Sequence, residues 1–228
     1  MFRHLFSFLL VCSYMCVAST AQAGLGIYGT RVIYHGDKTD ASITIKNKED
    51  KLPYLIQVWV DNFDESDKTT PPFTAIPPVS RLEAQQERVL RIIKMPGDLP
   101  NNRESVFWLN IKSLPPSSQS MNNQLELAIR TRIKLFWRPA GISETPESAA
   151  PKVKWIRSGR SLTIVNPTAI HVNVVDVRVD NQPINTLYMI KPFQTLTIPL
   201  PDHASGHELV WRSINDYGAL SEVIKQKL

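Results

Sequence analysis

Residues 125–137 place Leu125, Leu127, Ile129, Ile133 and Leu135 at odd positions and Arg130, Arg132 and Lys134 at even ones. Alternation with a period of two is the signature of a β-strand, whose successive side chains point to opposite faces. The stretch is thirteen residues long, and at about 3.3 Å per residue it would span roughly 43 Å, whereas an ordinary globular strand has about five or six residues. Part of it is therefore expected to overhang its sheet. An overhanging edge with Leu125, Leu127 and Ile129 on one face invites pairing with another chain. Periodicity alone leaves two readings open, a docking edge or a long core strand.

The N-terminal residues carry Arg3 and His4, then an apolar run over residues 5–18, then a small and polar stretch ending in Ala21, Gln22 and Ala23. That order predicts a secretory signal peptide over residues 1–23, cleaved after Ala23. The run is too short for a lasting membrane span, and no later segment is apolar for long enough to make one. A soluble, exported chain of residues 24–228 is expected. Its formal charge falls from +5 to +4 as Arg3 leaves, and both cysteines, Cys12 and Cys16, leave with it. In a compartment that oxidises thiols, such a chain rests on packing alone. Export argues against nucleic acid as the partner of the mild positive charge. Arg130, Arg132, Lys134 and Arg138 also lie on a strand without the stacking-aromatic pattern of an RNA-binding sheet.

Strand-like runs follow at residues 26–34, 41–46, 55–61, 88–94, 106–112 and 125–137, separated by turn-rich segments. Prolines at 71, 72, 77, 78, 115 and 116 punctuate them, since proline cannot donate to a ladder. Residues 140–151 are small, polar and proline-bearing, which is how an interdomain connection reads. A second series follows at 153–157, 161–166, 171–179, 195–199, 208–213 and 220–225, with turns at 166–168 and 180–183. No helix of convincing length is evident. The expected fold class is all-β, with one sandwich over residues 24–139 and another over 152–228, joined by 140–151.

An exported chain of this size could be a hydrolase, which would need a nucleophile or a metal set. The chain after residue 23 has no glycine-flanked serine elbow, no helical zinc pair with its glutamate, no phosphate loop and no cysteine. His203 and His207 have a spacing that suits a metal on a helix, but residues 202–207 are turn-like and no third ligand stands near. Neither a metal, a cofactor nor a catalytic residue is expected.

Several short motifs fall in a fixed order: Thr30, Arg31 and Tyr34; Pro53, Tyr54 and Leu55; Pro77, Pro78 and Val79; Glu104, Phe107, Trp108 and Asn110; Lys134, Trp137, Arg138 and Pro139; Asn166, Pro167 and Thr168; Asn215, Asp216, Tyr217 and Gly218. Together, behind a signal peptide and across nearly the whole remaining chain, they closely resemble the periplasmic pilus (fimbrial) chaperones of Gram-negative bacteria. The resemblance implies two immunoglobulin-like β-sandwich domains set at an angle with a cleft between them. It implies a chaperone that is no enzyme, binds pilus subunits and adhesin, lends them a missing strand, and delivers them to an outer-membrane usher.

By the same resemblance, Arg31 and Lys134 match the two cleft cations that anchor a subunit's C-terminal carboxylate, and Leu125, Leu127 and Ile129 match the residues that fill the subunit groove. Glu104, Arg138 and Asp216 match an ion-pair network between the domains, and Pro53, Leu55, Pro77 and Val79 match the usher-facing patch. For these last four, prolines guarding a sheet edge are an alternative. The short polar connection at residues 117–123 is similar to that of the subclass serving rod-like adhesive pili. The second-domain disulfide of some relatives is missing here. A sticky donor edge implies a weak self-capping oligomer in the free state. The competing readings are a pilus structural subunit and a periplasmic hydrolase; the first lacks its single sandwich with an N-terminal donor extension, the second its nucleophile or metal set.

Overall fold

The computed structural model describes residues 24–116, 127–184, 187–200 and 207–228. Among the described residues the first sandwich has nine strands: β1 (Leu25–Tyr28), β2 (Arg31–His35), β3 (Asp40–Asn47), β4 (Tyr54–Asn62), β5 (Phe73–Ile76), β6 (Val79–Leu82), β7 (Glu87–Lys94), β8 (Ser105–Leu114) and β9 (Ile129–Arg138). They form a sheet ordered β1-β3-β7-β5 and a second ordered β2-β9-β8-β4-β6. Alternation becomes burial: Ile43 and Ile45 of β3, Ile56 and Val58 of β4, Leu90 and Ile92 of β7, and Leu109 and Ile111 of β8 meet in one core between the sheets. Ser42, Gln57 and Arg91 on the same strands take the alternate, outward positions.

Residues 26–34, expected as one strand, are two strands in different sheets. β1 pairs antiparallel with β3, and β2 runs parallel to β9. The break falls at Gly29, whose φ of +146° is open to glycine and strained for other residues, so the chain can cross from one sheet to the other there. β5 and β6, absent from the expected set, are four-residue edge strands on either side of Pro77 and Pro78.

The long strand also differs from its sequence pattern. β9 begins at Ile129, Leu127 lies just before it, and Leu125 lies outside the described residues, as do residues 1–23, the connection at 117–123, and His203. β8 pairs with β9 from Ile129 to Trp137, whereas β2 covers only Lys134 to Arg138. Along residues 129–133 no described strand lies on the side of β9 away from β8.

The second sandwich has β10 (Lys154–Ser158), β11 (Ser161–Val165), β12 (Val172–Val179), β13 (Gln182–Ile184), β14 (Tyr188–Ile190), β15 (Thr195–Pro199), β16 (Glu208–Ser213) and β17 (Ile224–Lys227). Its sheets are β10-β11-β15 and β13-β12-β16-β17, with β14 also pairing β12. Trp155 and Trp211 pack at 5.7 Å between ring centroids in its core, together with Leu162, Ile164, Val174 and Leu209. Residues 140–151 are more ordered than their composition suggests. Thr145 caps a helical turn α1 (Pro146–Ala149), a 3₁₀ turn follows over Ala150–Lys152, and Ala149 and Ala150 are buried in the second core.

Candidate binding cleft

Arg31 opens β2 and stands directly opposite Lys134 of β9 in the parallel register. Two cations on paired strand positions repel unless an anion lies between them. Both are half-buried, and among the described residues neither forms an ion pair; Arg31 Nε is buried with no hydrogen-bond partner. Burial lowers the Arg31 guanidinium below its ordinary value, against the raising influence of Asp216 and Glu104. Burial first, and the Arg31 charge second, likewise lower the Lys134 ammonium. Two charge-assisted donors on neighbouring strands are thus left without an acid to meet them among the described residues.

A second charge group lies alongside and is fully matched. Arg138 Nε donates to Glu104 Oε1 at 3.0 Å, and its two terminal nitrogens meet Asp216 Oδ2 at 2.7 Å and Oδ1 at 2.8 Å. Only 4% of the Arg138 side chain and 2% of Glu104 are exposed. Burial pulls the guanidinium down, yet the hydrogen bonds and charges of Asp216 and Glu104 outweigh it and hold Arg138 above its ordinary value. Glu104 immediately precedes β8 and Arg138 ends β9, whereas Asp216 comes from the second sandwich, so the network spans both domains. Glu104, Arg138 and Asp216, expected together from the sequence, are brought together.

The presentation of Asp216 is local chemistry. Asn215 Oδ1 accepts from the backbone N–H of Tyr217 at 3.0 Å and of Ala219 at 2.9 Å, which fixes a tight turn. Gly218 sits at φ +86°, and a Cβ there would collide with Thr30 Oγ1, so the turn presses against the residue before Arg31. Tyr217, between these two contacts, is 91% exposed.

Sequence reasoning missed His171. It is buried, its Nδ1 lies 2.8 Å from Glu104 Oε2, and its backbone N–H donates to the same oxygen at 2.9 Å. The Glu104 N–H in turn donates to the Ala169 carbonyl at 2.8 Å. A lone histidine beginning a strand-like run carries no signal that its ring will meet an acid from the other domain.

Leu127 and Ile129 are 64% and 56% exposed, and they continue outward the face on which Ile133 and Leu135 enter the first core. Leu55 and Val79 are also exposed and lie on one outward face of the β4·β6 pair, where Leu55 opposes Arg81 and Gln57 opposes Val79. Pro53 and Pro77 are half-buried beside them. Among the described residues no cluster of metal ligands exists and no helix is long and apolar enough to cross a membrane.

Comparison with known proteins agrees with this architecture. Residues 24–143 match the family described as the pili and flagellar-assembly chaperone, PapD N-terminal domain, and residues 148–225 match the PapD C-terminal domain of pili assembly chaperones. The chain is 37% identical to the chaperone protein FimC of Escherichia coli K12, over 91% of this chain and 86% of that one. It is 36% identical to the probable fimbrial chaperone LpfB of Escherichia coli O157:H7, over 92% and 91%. Among solved structures, a chain of the Salmonella enterica SafA pilin in complex with the SafB chaperone superposes with a TM-score of 0.82 at 34% identity, covering 92% of this chain and 99% of that one. The E. coli chaperone DraB superposes at 0.79 with 33% identity, covering 90% and 97%. With two immunoglobulin-like sandwiches joined through a buried ion-pair network, and with these matches along nearly its whole length, the chain belongs to the PapD family of pilus-assembly chaperones.

Proposed function

We propose that this chaperone works in the periplasm, captures pilus subunits by adding its β9 edge to their incomplete sheets, and hands them to an outer-membrane usher. One observation carries the reading: the uncovered edge of β9, residues 129–133, ends where β2 begins, at the unmatched Arg31 and Lys134. A strand filling that lane alongside β9 must stop at those two side chains. Running parallel to β9 it would present its C-terminal end to them, and running antiparallel its N-terminal end. Two cations favour a carboxylate over an ammonium, so the geometry favours a parallel partner strand whose terminal carboxylate sets the register.

Leu127 and Ile129, with Leu125 ahead of them, would fill the partner's groove. Burying three such side chains gives about 5–9 kcal/mol as an upper estimate, against an association cost of about 4–15 kcal/mol. Main-chain pairing and the carboxylate contact, at about 1.5–3 kcal/mol per charged hydrogen bond, supply the remainder. Glu104, Arg138 and Asp216 would hold the domains so that the cleft keeps its shape, and Pro53, Leu55, Pro77 and Val79 would meet the usher. The similar SafB chaperone forms a complex with the SafA pilin, which is consistent with subunits as partners here. The proposed division is a signal over 1–23, domains over 24–139 and 152–228, and a connection over 140–151.

Co-purification of subunit with a tagged chain tests the mechanism. The Arg31→Ala, Lys134→Ala double variant is expected to lose its subunit while keeping a wild-type melt. Full retention of subunit would overturn the carboxylate anchor.

A further inference from the structure

The uncovered half of β9 should fray. Among the described residues its ladder bonds run to β8 alone, and the core beneath it thins out, from Ile133 at 8% exposure to Ile129 at 56%. Strand ends with one neighbour and little packing open at low free-energy cost. Yet the opposite face of this half carries a dense set of side-chain contacts that the capture mechanism does not use.

That face is built in rows across three strands. Trp59 of β4, Asn110 of β8 and Arg132 of β9 form one row, and Asp61, Trp108 and Lys134 the next. Arg130 leans along its strand toward the cleft. Its Nε donates to Asn110 Oδ1 at 2.9 Å, a terminal nitrogen bonds Asp61 Oδ2 at 2.9 Å, and its guanidinium lies 5.0 Å from the Trp59 ring centre. Asn110 is fully buried and Trp59 Nε1 also donates to Asp61, so the acceptors themselves are fixed. Arg132 repeats the device: its guanidinium lies 4.7 Å from the Trp108 ring centre, and a terminal nitrogen meets Glu65 Oε1 at 2.8 Å. Trp108 is backed by Phe63 at 5.0 Å.

We propose that Arg130 and Arg132 are positioning residues, a guanidinium–aromatic brace that holds residues 129–133 flat and in register before any subunit arrives. This rests on the reading of β9 as the docking edge. A planar guanidinium can lie flat on a ring while its edge presents a fixed fork of N–H donors, a geometry that the point charge of a lysine lacks. Strapping the strand from the face opposite Leu127 and Ile129 leaves both the apolar row and the backbone edge open to a partner. A preset edge spares the subunit the ordering of the strand at the moment of capture, so the brace acts on the association rate.

Hydrogen exchange of the free chaperone tests the brace without a subunit, and so separately from the docking reading. In the Arg130→Gln, Arg132→Gln double variant the β8-bonded amides within residues 129–133 are expected to lose protection by about tenfold or more, while those of residues 135–137 keep theirs as an internal control. Glu65→Ala, at an exposed site, releases only the Arg132 tie and should give a smaller loss confined to the same residues. Association with the subunit that co-purifies with the wild-type chain should slow in the double variant, with the Lys134 contact still present at saturation. Unchanged protection at 129–133, or a loss confined to the loop at residues 62–70, would overturn the proposal. Loss of protection with an unchanged association rate would overturn its link to capture.

Discussion

The cleft region holds two groups of charge, linked through Lys134 and Arg138 on β9, and they differ in how they are matched. Arg138 shares its guanidinium between Glu104 and Asp216, and Glu104 uses its remaining oxygen on His171. Arg31 and Lys134 face one another with no acid to join them among the described residues. Matched and buried charge is structural, because each member would be left uncompensated by loss of another. Unmatched charge held on rigid strands costs the free protein stability and is recovered only by a ligand.

The sharpest break in this comparison comes from removing a matched charge. Arg138→Ala leaves the buried Glu104 and the part-buried Asp216 without the cation they share, and is expected to destabilise the chain by about 3–5 kcal/mol. Denaturant unfolding measures it, and small-angle scattering should report a looser domain arrangement; wild-type stability and shape would strip the network of its role.

Removing an unmatched charge should do the reverse to the fold. Lys134→Met is expected to leave the free chain as stable as wild type or more so, while weakening subunit binding by about 1.5–3 kcal/mol, roughly ten- to 150-fold. A thermal melt together with a binding titration gives both signs from one variant. Destabilisation matching that of Arg138→Ala would erase the distinction.

Titration sharpens the same point. The folded-state value of Lys134 is lowered by burial and by Arg31, so in the alkaline range the folded state binds fewer protons than the unfolded one. The unfavourable contribution is fully present below the folded value, and it is relieved as pH rises through that value toward the ordinary lysine value of about 10.4. Against the Lys134→Met background, the wild-type chain should therefore gain stability across that window. Subunit binding should weaken over the same window as the ammonium is lost. A wild-type profile parallel to that of the variant would show Lys134 to be free of strain.

The smallest effect serves as a control. Val79 is half-exposed, away from both charge groups, and Val79→Asp should move stability by no more than about 0.5 kcal/mol. If Val79 belongs to the proposed usher-facing patch, subunit capture should persist while pilus assembly on cells falls. Normal piliation would remove Val79 from the patch.

Strand existence and facing were legible in the chain, because a period of two is a local property. Residues 41–46, 88–94, 161–166 and 208–213 each lie within or beside strands that bury the alternate positions the pattern names. Edge strands such as β5, β6, β13 and β14 were not legible, since three or four residues beside prolines carry too short a pattern. The motifs named Arg31, Lys134, Glu104, Arg138 and Asp216 through resemblance, while residue chemistry alone gave only scattered surface charges.

What the sequence determined by itself was the class of the fold, the inward and outward faces of the strands, and the membership of the family. Tertiary structure alone decided which strand lies beside which. Gly29 sends β2 to the far sheet, and only there does Arg31 meet Lys134. Register across β4, β8 and β9 places Arg130 and Arg132 over Trp59 and Trp108, and the packing of the second sandwich brings His171 to Glu104. The reason is physical: periodicity records which way a side chain points, whereas repulsion, stacking and an open edge depend on neighbours distant in the chain, and those exist only once the sheets have formed.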